Sequence, residues 1–275
     1  MLRLPQLRTD MTLRLDHIVI AVADLDAARA DYGRLGFTAL PGGEHADGVT
    51  HNALVVLADG AYLELIAFRQ PAPERRWWRV GHEAGDGFVD YALLPGDIAA
   101  DVAAASIRGL ELEGPVAAGR LRPDGVRLQW QTARSSQPDV PFLCGDVTPR
   151  RLRVPEGADI RTHPNGVTGV AALTVAVRDL AASLTRYQAY LGLSAAAVAP
   201  PRILAGAGLR VATLPLGSVA VALASPLPGV PSALSDALER RGEGLFGVAF
   251  RSEGTAGLLD PALTHGARLE AVGPD

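Results

Sequence analysis

The chain contains a single cysteine, Cys144. With no second thiol there is neither an internal disulfide nor a Cys-x-x-Cys pair, and a reducing, cytoplasmic location is expected. Long apolar runs are also missing. None approaches the roughly 18 residues of a membrane-spanning helix, and the opening MLRLPQLRTDM lacks the apolar stretch of a secretory signal. Met11 offers an alternative start, and the residues before Leu13 read as a frayed tail. A dominant positive charge is absent as well: 26 basic residues are scattered among 30 acidic ones. The resulting net charge of -4 gives no footprint for nucleic acid. No Gly-x-Gly-x-x-Gly, phosphate loop or Gly-x-Ser-x-Gly elbow stands between a strand and a helix. These absences set nucleic acid and membrane aside as partners.

What is present is apolar and repetitive. With 275 residues and 48% hydrophobic content, the chain can bury about two ordinary domains. LDHIVIAVADLDAARADYGRLGF, from Leu15, and VAALTVAVRDLAASLTRYQAYLGL, from Val170, share one pattern. An alternating strand leads to Asp-Leu (Asp24-Leu25 and Asp179-Leu180), where the Asp is placed to cap an Ala-rich helix that stops at Gly36 or Gly192. Strand-like runs FTALPG, VTHNALVVLADG and AYLELIAF follow, with an Asp59-Gly60 hairpin turn. That is a βαβββ unit.

A divergent copy reads GFVDYALLPGD, a helical IAADVAAASIRGL, then ELEGPVAAGR, VRLQWQTA and VPFLCGDV. A third copy has strands in RVATLPLG and SVAVALAS. A fourth opens with the helix PSALSDALERR and the strand GLFGVAF, and is cut short. The expected organisation is α+β: a domain of two paired units over 13–148, a linker over 149–165, and a second, abbreviated pair over 166–275. Pairing covers sheet edges and leaves a concave cup between units.

The segments LDHIVIAV, GVTHNALVVLADGAYLELIAF, RLRPDGVRLQW, PFLCG and HPNG resemble the vicinal-oxygen-chelate superfamily, and within it the glyoxalase-like domain family, over about residues 15–193. The resemblance implies a divalent metal held in the cup by side chains from the first and fourth strands of paired units.

Strand alternation assigns the faces. Ile18, Ile20 and Val22 should pack under the helix, leaving His17, Val19 and Ala21 toward the cup; Leu63 and Leu65 go under the helix, and Tyr62, Glu64 and Ile66 toward the cup. An imidazole and a carboxylate converging there suit Zn, Ni, Fe or Mn. Asp90, which falls at the position of His17 when YALLPGDI is laid on IVIAVADL, is the candidate third ligand, with the Cys144 region near the strand that matches Glu64. The alternative is a Glu64 paired with an arginine and no metal. In the second domain Ala172 stands where His17 does and Val221 where Glu64 does, so an apolar cup of Ala172, Thr174, Val219 and Val221 is expected, with a structural or dimerising role.

Thr50 and Asn52 share one face of the third strand and can hydrogen-bond a substrate or satisfy loop backbone; His51 points the other way. His45, in PGGEHADG, reads as a lid or a solvated loop histidine. Arg122 offers a fork for a carboxylate or phosphate, its alternative being a turn-stabilising pair with Asp124, and Trp130 would wall an apolar pocket. Trp77-Trp78 caps the cup or anchors a loop. His163 belongs to a Pro-Asn-Gly turn or reaches back into the first cup. Two functions follow. One is a metal-assisted lyase, isomerase or dioxygenase with His17, Glu64 and Asp90 as ligands, Glu64 doubling as base, and Thr50, Asn52, Tyr62, Arg122 and Trp130 around the substrate. The other is a metal-free binding or sequestering protein using the same cup.

Overall fold

The computed structural model describes residues 13–273, so the segment before Leu13 falls outside the described residues. The first unit runs β1 (Arg14–Ala21), α1 (Leu25–Arg34), β2 (Leu40–His45), β3 (Thr50–Val56) and β4 (Tyr62–Phe68). A connecting helix, α2 (Arg76–Ala84), leads to the second: β5 (Gly87–Leu94), α3 (Ile98–Ile107), β6 (Glu113–Leu121), β7 (Arg127–Arg134) and β8 (Phe142–Asp146). Two short helices, α4 (Arg150–Arg153) and α5 (Ala158–Arg161), precede β9 (Val167–Ala176), α6 (Leu180–Leu191), β10 (Arg202–Leu204), β11 (Leu209–Leu216) and β12 (Val219–Pro226). The chain closes with α7 (Ala233–Arg241), β13 (Gly244–Ser252), β14 (Gly257–Leu258) and β15 (Leu269–Val272).

The helices start where the repeat places them. Asp24, Asp97 and Asp179 each accept two backbone N–H groups from the first turns of α1, α3 and α6, satisfying donors a helix cannot pair internally. Gly192 ends α6 in the left-handed region, at φ 68°, where a side chain would be strained.

The first eight strands close into a barrel in the order β1-β4-β3-β2-β6-β7-β8-β5. β1 joins β5 on one side, and β2 joins β6 on the other, with Glu44 opposite Leu121 and His45 opposite Arg120. The remaining strands form an open sheet, β10-β11-β12-β9-β13-β15-β14. This order repeats the barrel's with one strand missing: no described strand takes the place of β6, and without that seam the sheet cannot close. The PSALSDALERR helix does not open a fourth unit. It is α7, which connects β12 to β13 as α2 connects β4 to β5, and the two connectors pack together.

Alternation sorts the apolar side chains into two layers. Ile18, Ile20, Val22, Leu63 and Leu65 join a core continuous with Leu173, Val175, Leu214 and Leu223 of the open sheet. Val19, Ala21, Ile66, Ala92, Leu128, Trp130 and Phe142 form a second cluster inside the barrel. Each fully buried Leu, Ile or Val contributes ~1.5–3 kcal/mol, so this split fixes which face of each strand can carry chemistry. On the open sheet, Ala172 lies opposite Ala220, Thr174 opposite Ala222 and Leu173 opposite Val221. Val219 and Val221 therefore belong to the shared core rather than to a cup. The counterpart of Glu64 is Ala222, not Val221: Glu64 pairs with Val19 as Ala222 pairs with Thr174.

No described helix is long and apolar enough to cross a membrane.

Candidate functional site

The barrel encloses a cavity of about 550 Å³. His17, Thr50, Asn52, Tyr62, Glu64, Asp90 and Trp130 all line it, so five of the strands aim at least one of these residues, singled out from the sequence, into one space. Across the parallel pair of β1 and β4, Tyr62 lies opposite His17 and their rings stack at 4.7 Å. Glu64 follows two residues on, with its Oε2 3.5 Å from His17 Nε2.

His17 is held from behind. Its Nδ1 is 2.8 Å from Oδ2 of Asp16, which is fully buried. An ionised carboxylate can only accept, so Nδ1 carries the proton and Nε2 turns its lone pair toward the cavity. Asp16 is in turn gripped by Arg153, at 2.8 Å, and Arg150, at 2.5 Å. Arg153 also donates to Asp146 and to the Tyr62 hydroxyl. Burial disfavours the Asp16 charge, but Arg153, His17 and Arg150 outweigh it and hold its carboxyl well below the usual range. The same network holds the Arg153 pKa well above its ordinary value, against the cost of burial.

Glu64 sits between two imidazoles. Its Oε1 is 3.6 Å from His45 Nε2 and accepts from Asn52 Nδ2 at 2.5 Å. Burial opposes ionisation of Glu64; His17, His45, the Asn52 amide and Arg120 overcome it and lower its pKa. Burial chiefly keeps the His45 imidazole neutral, lowering its pKa against the attraction of Glu64. His45 Nδ1 meets Thr50 Oγ1 at 2.8 Å. The glycine pair before it is a packing requirement: a Cβ on Gly42 would lie 2.0 Å from Asn52 Oδ1. Arg120 bonds the Gly42 carbonyl and, at 3.2 Å, that of Arg153, tying the β2–β6 seam to the buried network.

The second unit contributes differently. Asp90 does line the cavity, but Trp77 and Arg134 donate to its Oδ2 at 2.9 and 3.1 Å, and it is not grouped with His17 and Glu64 within mutual ligand distance. The expected His17, Glu64, Asp90 ligand set is corrected on that ground: the indole and guanidinium take the oxygen a metal would need. The pairing of Ala92 with Phe142 mirrors that of Val19 with Glu64, so Phe142 rather than the Cys144 region stands at the Glu64 position. Its ring packs edge-on to His17 and lies 4.0 Å beneath the Arg134 guanidinium. Trp77, on a helix rather than a loop, and Trp130 complete an aromatic wall.

Among the described residues one group of three donors lies within mutual ligand distance. Asp16, His17 and Cys144 lie within 4.8 Å of one another. They do not suit an ion: Asp16 is committed to two arginines and His17 Nδ1, and burial pushes the Cys144 thiol far up, away from the thiolate a metal needs. His17 Nε2, Glu64 and His45 Nε2 are the better match in donor chemistry, with each imidazole facing Glu64, although the three are not gathered within that distance of one another. Two imidazoles with one carboxylate are donors for a borderline divalent ion, and the Asp16–His17 contact is the outer support such histidines commonly carry.

With this geometry in place, the comparisons with known proteins are informative. Residues 15–191 match the family described as "Glyoxalase-like domain". The chain belongs to the glyoxalase-like domain family. No curated protein matches the sequence. Among solved structures, a hypothetical protein from Staphylococcus aureus superposes with a TM-score of 0.72 at 15% identity, covering 96% of this chain and 100% of its own. A mutant of 4-hydroxymandelate synthase from Streptomyces coelicolor gives 0.60 at 16% identity, over 88% of this chain and 71% of that one. A xylose isomerase-like TIM barrel/4-hydroxyphenylpyruvate dioxygenase fusion protein gives 0.52 at 16%, over 90% and 38%. At these identities the likeness is one of fold, shared across both the barrel and the open sheet.

Arg122 is not brought to the site of this glyoxalase-like protein. It lies just past the end of β6, where it pairs with Asp124 at 2.7 Å and donates to the Leu152 carbonyl. Arg120, two residues earlier, takes the place in the cavity. His51 stays outside the cavity lining and half-buried. His163 is a brace: its Nδ1 accepts from Thr38 N–H and its Nε2 faces the Val56 carbonyl, both at 3.1 Å. Sequence reasoning passed over Asp16, Arg153 and Phe142, favoured Arg122 over Arg120 of the same run, and gave His45 to a loop because strand β2 runs on through Pro-Gly-Gly. The available signal was Asp16 itself, a carboxylate inside an apolar strand.

Proposed function

We propose that the barrel cavity is the active site of a small-molecule enzyme in which His17, Glu64 and His45 hold a divalent metal. The observation that carries this reading is the Glu64 carboxylate set between two imidazole Nε2 atoms, at 3.5 and 3.6 Å. These separations exceed direct hydrogen bonds, and the three groups would have to draw together around an ion to share it. A metal there would supply Lewis acidity toward a substrate presenting adjacent oxygens.

The chain's own residues divide the remaining work. Asp16 fixes the His17 tautomer and ring orientation. Asn52 holds Glu64 Oε1 and leaves Oε2 facing His17, where the carboxylate is also placed to move a proton on a bound substrate. Trp77, Trp130 and Phe142 exclude water from one wall, and Arg134, stacked on Trp77 and Phe142 at the mouth, offers a cation to an acidic ligand. The reaction type is lyase, isomerase or dioxygenase.

A metal-free binding protein is the second reading, favoured by Phe142 standing at the Glu64 position of the second unit and by Asp90 being taken up by Trp77 and Arg134. Elemental analysis of protein purified without added metal separates the two. Roughly one equivalent of transition metal in the parent, lost in His17→Ala and weakened on the order of tenfold or more in Glu64→Gln at unchanged melting temperature, is the outcome expected of the enzyme. Metal-free parent protein that still takes no ion from a Zn, Ni, Fe or Mn titration would sink the metal assignment.

A further inference from the structure

A second cavity, of about 230 Å³, lies where the connector α2 and strand β5 of the barrel meet α7 and β13 of the open sheet. We propose that this cleft binds a small oxyanion, a phosphate or carboxylate group on a compact ligand. Four arginines line it, Arg76, Arg240, Arg241 and Arg268, against one acid, Glu243. Glu243 accepts from the Arg178 backbone N–H through Oε1 at 2.6 Å, and the lining keeps an excess of three positive charges, four arginines against one carboxylate.

The arginines elsewhere in the chain mostly meet carboxylates, as Arg153 does Asp16, Arg186 does Asp139 and Arg251 does Asp59. Here they do not. Arg241 spends its terminal nitrogens on neutral carbonyls, those of Ala84, Gly85, Asp86 and Phe88, at 3.0 to 3.2 Å. These bonds staple the open sheet to the barrel and fix the guanidinium, but they leave its charge uncompensated. Its Nε is buried without a partner among the described residues. Arg76 reaches the Glu243 carbonyl from the other wall, at 3.3 Å, and Arg268 lies over the Phe246 ring at 5.7 Å. Among the described residues no carboxylate comes within 4.0 Å of Arg240, Arg241 or Arg268.

The stapling role accounts for Arg241 and not for Arg240 or Arg268, which are exposed and whose guanidinium groups make no hydrogen bond to a described atom. The C-terminal end of α7 offsets only about half an elementary charge. A chain of net charge -4 thus concentrates unneutralised positive charge in one cleft, beside an apolar floor of Leu245 and Phe246. Arginine forks bind phosphate and carboxylate in pairs of parallel hydrogen bonds, which is the chemistry the cleft lacks.

The test is calorimetric titration of inorganic phosphate and, separately, malonate into the full chain at fixed ionic strength, with sodium chloride as the control. The parent protein should show saturable binding of at least one of the two, and whichever binds names the group. The Arg240→Ala/Arg268→Ala double variant, which touches no structural bond, should keep the parent's melting temperature and lose affinity at least tenfold. Heats no larger than the chloride control for both anions, or equal affinity in the double variant, would overturn the proposal.

Discussion

The closed barrel and the open sheet are built from the same strand order, yet only one of them holds a polar interior. At matched register the barrel carries Asp16, His17, Tyr62 and Glu64 where the open sheet carries Ala171, Ala172, Ala220 and Ala222. The difference goes beyond four side chains. Closure through β2 and β6 places His45 opposite Arg120, and the α4 segment brings Arg150 and Arg153 onto Asp16. The open sheet has no counterpart of β6, and α7 packs Leu234 and Leu238 against Ala176 and Ala224 instead. Charged groups can be buried in the barrel because each one meets a partner; alanines suffice where no partners exist.

Three experiments would break or sharpen this comparison. The largest effect is expected from Asp16→Ala, which takes from the buried Arg153 one of its two carboxylates and leaves His17 Nδ1 without its partner. Breaking a buried pair on one side costs about 3–5 kcal/mol, to be read from urea unfolding. A loss under about 1 kcal/mol, the scale of a surface ion pair, would mean the network does not hold the barrel. A second experiment grafts the barrel's pair onto the sheet, as Ala172→His with Ala222→Glu in a His17→Ala background. Without an equivalent of Asp16 behind the histidine or a closing seam beside it, metal retention should be at least about tenfold below that of the parent barrel, by elemental analysis. Parent-level retention would show that two strand residues suffice.

The smallest effect concerns the brace between the two regions. His163 is buried, and burial lowers its pKa from 6.5 despite its bond to the Val56 carbonyl. Below pH 6.5 the unfolded chain binds the proton more readily than the native one, so the contribution of the neutral ring is complete above 6.5 and lost as pH falls through the folded-state pKa. Protonation also removes the acceptor that Thr38 N–H uses. On going from above pH 6.5 to about pH 5, the parent's melting temperature should therefore fall further than that of His163→Gln. Equal slopes would remove His163 from the account of docking.

Much of the site was legible from periodicity of two. His17, Tyr62, Glu64, Thr50 and Asn52 share the cavity because alternation is a local property that a strand cannot escape. The failures came where locality ends. Between Leu15 and His17 the pairing of β1 with β5 is irregular, which leaves Asp16 out of the alternating ladder, and no sequence pattern announces that Arg153, far along the chain, meets it. Arg122 lay in the right segment and on the wrong side of a strand end. Asp90 was placed correctly in register, but the partners that occupy it come from α2 and β7.

The sequence by itself determined the repeat, the capped helices and which face of each barrel strand is polar, since all three depend on spacings of a few residues. Tertiary structure decided that one strand set closes and the other does not, that His45 rather than Asp90 joins Glu64, and that four arginines gather between the two regions. Those outcomes turn on pairings between residues tens to hundreds of positions apart, and electrostatic partners at that range leave no periodic trace in the chain.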